Sequence, residues 1–147
     1  MRYQESPNTK MLKYKFVKGP TSDVMYEAYG KNLKEIFENA ALGLLSVICD
    51  IKKVNPKEKE EFLMKGTNAE ELLINWLQGV IAVVDVEQKF YSKVEVLEVD
   101  ENHVKAALFG ETMTPKLGKT VVKAVTYYKF KLEQNKKGFK ATVSLDI

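Results

Sequence analysis

A chain of 147 residues that is 45% hydrophobic and 29% charged has the size and composition of one folded domain, and it is too apolar for a disordered segment. It contains no uncharged apolar run near the length of about 18 residues that a membrane helix needs. A formal net charge of +3 is too mild to mark a nucleic-acid binder, and one cysteine excludes an internal disulfide.

The opening stretch MRYQESPNTKM is polar and carries Pro7, so residues 1–11 read as a flexible leader ahead of a single domain over 12–147. It lacks the apolar core of a secretory signal, and with the lone Cys49 this gives a cytoplasmic expectation. In LKYKFVK, Leu12, Tyr14 and Phe16 alternate with polar positions, the period-2 pattern of a half-buried strand. VMYEAYG forms the next strand, closed by Gly30, and the two flank the short loop GPTSD. Gly19 and Pro20 supply the bend there, while Thr21, Ser22 and Asp23 can satisfy turn backbone.

Asn32 followed by Glu35 is a capping box with Asn in place of Ser or Thr, and Leu33 through Ile48 carries apolar residues at helical spacing. Asn55-Pro56 breaks the chain, EEFLMKG reads as a short strand, and Asn68 with Glu71 repeats the cap before a second amphipathic helix through Val84. The remainder is β-rich. FYSKVEVLEV and HVKAALFGE make one antiparallel hairpin, TVVKAVTYYKFKLE and GFKATVSLDI another, with TMTPKLGK as a polar loop between them. The expected fold is α+β, two layers, with a largely antiparallel sheet covered by two main amphipathic helices.

Few residues offer chemistry by pattern alone. LGKT at 117–120 has the tail of a phosphate-binding loop but neither its first glycine nor a helix after it, so it reads as an ordinary loop. His103, the sole histidine, sits at a tight turn and suits a surface role. Cys49 ends a helix as a small core residue, and Trp76 falls in the apolar stripe of the second helix. From Lys116 onward eight lysines face only Glu133 and Asp146, which makes the last third locally basic, a pattern a solvated sheet face explains as well as an RNA partner does. Asp146 is penultimate in a strand, so its carboxylate lies one residue from the terminal one, and such oxygen donors suit a hard cation.

Several of these stretches, in this order, resemble the archease family. VKAVTYY at 122–128 and the closing Asp146-Ile147 look like its C-terminal hairpin, YGKNLKEIFENAALGLLSVI and EELLINWLQGVIAVVD its two helices, and FGE at 109–111 a short marker. Thr21 and Asp23 match the family's Asp/Glu-His-Thr-Ala-Asp turn, whereas Gly19, Pro20 and Tyr128 stand where the family carries an acidic residue and two histidines. The resemblance implies an accessory, non-catalytic factor of the tRNA-splicing RNA ligase, which joins 3′-phosphate or 2′,3′-cyclic phosphate ends to 5′-hydroxyl ends. It further implies a divalent metal, calcium by preference, on Asp23, Asp146 and Ile147, with Lys123 as a contact to the ligase or its nucleotide. RNA would then be reached through the ligase. Two other readings stay open: a metal-dependent phosphodiesterase using Asp23 and Asp146, and an RNA-binding module built on the lysine-rich hairpin.

Overall fold

The computed structural model describes residues 12–18 and 23–147. The leader expected over 1–11 and the turn residues Gly19, Pro20, Thr21 and Ser22 lie outside the described residues. In chain order the elements are β1 (Tyr14–Val17), β2 (Val24–Gly30), α1 (Leu33–Ile48), β3 (Glu58–Lys65), α2 (Ala69–Glu87), β4 (Lys89–Val99), β5 (His103–Thr112), β6 (Ala124–Asn135) and β7 (Gly138–Asp146).

The α+β class expected from the sequence is the one observed. The strands divide between two antiparallel sheets, ordered β1-β2-β7-β6 and β3-β5-β4. Each helix touches both: α1 lies against β2 and β4, α2 against β6 and β3. The core is therefore continuous through the helices, although among the described residues no hydrogen-bonded ladder joins the sheets.

Both helices start as their caps dictate. The Asn32 side chain accepts from the Glu35 N–H at 2.9 Å, and Glu35 reaches back to the Lys31 N–H at 2.9 Å. Asn68 and Glu71 repeat this, with Glu71 bonded to the Thr67 N–H at 2.8 Å. Each cap satisfies donors that the first turn leaves free and contributes about 1 kcal/mol. The helix faces then meet in the core through Trp76, fully buried, which stacks on Phe62 at 5.2 Å and donates its indole N–H to the Phe37 carbonyl at 2.9 Å.

Three local expectations change. β1 is an edge strand, so Leu12 and Phe16 are 54% and 49% exposed rather than half-buried, and Phe16 leans on the Tyr14 and Tyr26 rings. The segment from Thr120 to Lys123 is not strand. The N–H groups of Lys119 and Thr120 donate to the Ile48 and Val47 carbonyls, and the Lys119 ammonium to the Ser46 carbonyl at 3.0 Å. LGKT thus closes the C-terminus of α1, where orphan carbonyls and the negative end of the helix dipole favour donors and a cation. Finally, β6 is broken by a bulge: pairing jumps from Thr126 opposite Ser144 to Lys131 opposite Thr142, leaving Tyr127 through Phe130 facing Val143 alone.

The far end of the β2–β7 ladder is pinned by glycine. Gly138 has φ +128°, and a Cβ there would press into the Gly30 carbonyl and lie 2.8 Å from the Lys31 Cα. Both obstacles are backbone, so Gly138→Ala is expected to cost roughly 2–3 kcal/mol. For a domain of this size the melting temperature should then fall by roughly 5–10 °C, whereas Lys137→Ala, one residue away in an exposed turn, should leave it within error in the same thermal scan.

Candidate metal centre

The sequence-derived site is assembled by strand register. In the β2–β7 ladder Val24 faces Leu145, and antiparallel partners keep a constant sum, 24 + 145 = 23 + 146. The next step along the two strands therefore sets Asp23 against Asp146. On the other side of β7, Ala124 faces Asp146, and the Lys123 N–H donates to the Asp146 carbonyl at 2.8 Å. Because 124 + 146 = 123 + 147, Lys123 comes level with Ile147. Residues separated by more than 120 positions thus share the end of three adjacent strands.

A further residue joins them that sequence reasoning did not single out. Ser144 is fully buried, and its hydroxyl points to Asp23 Oδ2 at 3.5 Å. Its place two residues before Asp146 on a strand, hence on the same face, is the signal that would have found it. Asp146 and Ile147 are exposed and Asp23 is half-buried. Among the described residues neither Asp23 nor Asp146 forms an ion pair, and Lys123 forms none either.

Asp23 and Asp146 carry like charges at one sheet end, with Lys123 as the neighbouring cation, and carboxylate oxygens of this kind suit a hard divalent cation. A hydroxyl beside them keeps the donor set entirely oxygen, which fits calcium or magnesium better than a soft metal. Among the described residues no group of three or more His, Cys, Asp or Glu side chains gathers to hold a metal ion.

Residues 14–147 match the Archease protein family (MTH1598/TM1083). The chain belongs to the archease family. It is 36% identical over 141 residues to the archease of Methanosarcina mazei, covering 92% of this chain and 96% of that one. Against the archease of Sulfurisphaera tokodaii it is again 36% identical over 141 residues, covering 93% and 100%. The solution structure of Methanobacterium thermoautotrophicum protein 1598 superposes with a TM-score of 0.77 at 29% identity, covering 92% and 99%. The crystal structure of the Thermotoga maritima archease, called a possible chaperone, gives a TM-score of 0.65 at 20% identity, covering 89% and 98%, and shows the fold alone.

The other reactive side chains of this archease lie away from the sheet end. Cys49 is buried, its thiol directed at the Leu45 and Tyr91 carbonyls, and burial pushes its pKa up to about 11, so it has little thiolate character. His103 stands in the three-stranded sheet between Glu98 at 3.1 Å and Asp100 at 3.0 Å. Asp100 in turn accepts the Asn102 and His103 N–H groups at 2.8 and 2.9 Å, which hold its carboxyl below the usual range.

The hydrogen bond to Glu98 and the charge of Asp100 raise the His103 pKa above 6.5. A raised folded pKa means that its stabilisation is present in full below about 6.5 and is lost as pH rises through the folded value. NMR titration should accordingly place the His103 midpoint above 6.5, and His103→Gln should flatten the fall in stability from pH 6 to 8. A midpoint at or below 6.5 would contradict the paired geometry.

Proposed function

We propose that the chain is a non-catalytic, metal-binding accessory factor of the tRNA-splicing RNA ligase in the cytoplasm, promoting the ligase's guanylylation and multiple turnover. One observation carries the reading: the β2–β7 register that brings Asp23 level with Asp146 at a solvent-facing sheet end. Archease membership supports the reading, since metal binding at these positions and ligation by a partner are what the resemblance to that family implies.

In this reading Asp23 and Asp146 hold the ion from facing strands, and Ile147 adds its terminal carboxylate. A divalent cation, calcium by preference, would supply the positive charge that lets these anionic groups share one place. Ser144 orients the Asp23 carboxylate by its hydroxyl. Lys123 is fixed by its own N–H on the Asp146 carbonyl, which leaves its ammonium at the tip as a contact for the ligase or its nucleotide. The ligase itself joins the RNA ends.

The phosphodiesterase alternative finds neither a histidine nor a cysteine among the described residues at this sheet end. His103 is held in the other sheet by Glu98 and Asp100, and Cys49 is buried.

Asp23→Asn and Asp146→Asn should each weaken calcium binding at least tenfold by calorimetry, because each removes one anionic ligand of a small set. Chelation should lower the melting temperature of the wild type but not of the double variant, since only a state that binds metal is stabilised by it. In a multiple-turnover assay with RNA bearing 2′,3′-cyclic phosphate and 5′-hydroxyl ends, the wild type should raise ligase turnover and Asp146→Asn should not. Absence of stimulation by the wild type would overturn the proposal, and phosphodiesterase activity without ligase that Asp146→Asn abolishes would restore the hydrolase reading.

A further inference from the structure

The bulge of β6 is the largest irregularity in the four-stranded sheet; Phe130 packs against the core, while Tyr127, Tyr128 and Lys129 are exposed. Tyr127 is 78% exposed and Tyr128 45%. Lys129 between them and Phe130 has φ 52°, a left-handed conformation that a lysine seldom adopts, and its ammonium lies 5.7 Å from the Tyr128 ring centre. Two adjacent exposed aromatics on a strained bulge are unusual on a surface with no structural need for them.

The main chain on either side of this bulge is closed to a partner strand. Gln78 of α2 accepts the Val125 N–H at 2.9 Å, and Glu70 of α2 accepts the Leu132 N–H at 3.0 Å. Although β6 is an edge by order, two of its N–H groups are taken by α2 and its ladder is interrupted. Strand addition by a protein partner is therefore disfavoured, and the bulge offers side chains alone.

Lysines outnumber carboxylates around it, with Glu70 of α2 and Glu133 as acidic neighbours. Lys131 is compensated by Glu133 at 3.7 Å and Lys140 by Glu27 at 3.4 Å. Lys129, Lys136 and Lys137 form no ion pair among the described residues, nor does Lys123 at the near end of the strand. Exposed rings flanked by uncompensated cations match the two requirements of single-stranded nucleic acid: stacking for bases and positive charge for phosphates.

We propose that the β6 bulge binds single-stranded RNA directly, with Tyr127 and Tyr128 stacking on bases and Lys129, with the lysines of the β6–β7 turn, meeting the phosphates. The platform begins at Tyr127, three residues beyond Ala124, the partner of Asp146, so a bound strand would run alongside the acidic sheet end. This goes beyond the accessory role, in which RNA is reached only through the ligase, and it does not depend on that role.

The test is fluorescence anisotropy of a labelled ten-nucleotide single-stranded RNA with the full chain, at low and moderate salt and with chelator. Each of Tyr127→Ala and Tyr128→Ala should weaken binding roughly tenfold by loss of a stacked base. Lys129→Ala should reduce the dependence of log affinity on log salt by about 0.7. Circular dichroism and melting of the three variants should match the wild type, since the side chains removed are exposed. Duplex RNA of the same length should bind more weakly, and chelator should leave single-strand binding intact. The proposal is overturned by no measurable binding, by equal affinity for duplex, by tyrosine variants that bind as well as wild type, or by binding that chelator abolishes. Tyrosine variants that lose ligase stimulation while keeping RNA affinity would also overturn it, assigning the bulge to a protein contact.

Discussion

The antiparallel pairing of β2 with β7 is the constraint on which the remaining architecture depends. It joins a strand near the start of the chain to the last one and thereby closes the four-stranded sheet. Its register is fixed at one end by Gly138 against Gly30 and along its length by the alternation that turns Tyr26, Ala28, Val143 and Leu145 inward. A slip of one residue would turn that entire set to solvent, so the hydrophobic core enforces the register. The same register decides which carboxylates meet at the opposite end. Stability and site are thus consequences of one ladder.

The helices complete what the sheets leave open. Because β1-β2-β7-β6 and β3-β5-β4 share no ladder, the cohesion between them comes from side chains on α1 and α2. Tyr26 on β2 reaches α1, donating to the Ala40 carbonyl at 2.7 Å, and Glu38 of α1 accepts the Val96 N–H of β4 at 2.9 Å. On α2, Gln78 and Glu70 cover the β6 edge while Trp76 stacks on Phe62 of β3. Polar bonds of this kind add little net free energy each, but the buried one from Tyr26 penalises misplacement of α1, which would leave its hydroxyl unsatisfied.

Much of this was legible in the residues. Asn32-x-x-Glu35 and Asn68-x-x-Glu71 marked both helix starts because the cap chemistry is local, and the strand hairpins were marked by alternation and turn residues. The burial of Cys49 and Trp76 and the surface place of His103 also followed from their local settings. The division into two sheets was not legible, since antiparallel alternation does not say which strand is whose neighbour. LGKT read as a loop, yet its capping of α1 required knowing that residue 119 meets residue 48. The β6 bulge was hidden inside what reads as a continuous strand, because Tyr, Lys and Phe have no turn chemistry to announce it. At the candidate site, Asp146 stood out by its penultimate strand position and Asp23 only by family resemblance, and the three-dimensional pairing is what sets them level with each other and adds Ser144.

The most direct test of the central claim is a crystal structure of the chain grown or soaked with calcium, refined with the ion's anomalous signal. Carboxylate oxygens of both Asp23 and Asp146 about 2.3–2.6 Å from one calcium ion, with the Ile147 carboxylate completing the set, is the expected result. A calcium ion bound elsewhere, or the two aspartates turned apart in a calcium-saturated crystal, would contradict it.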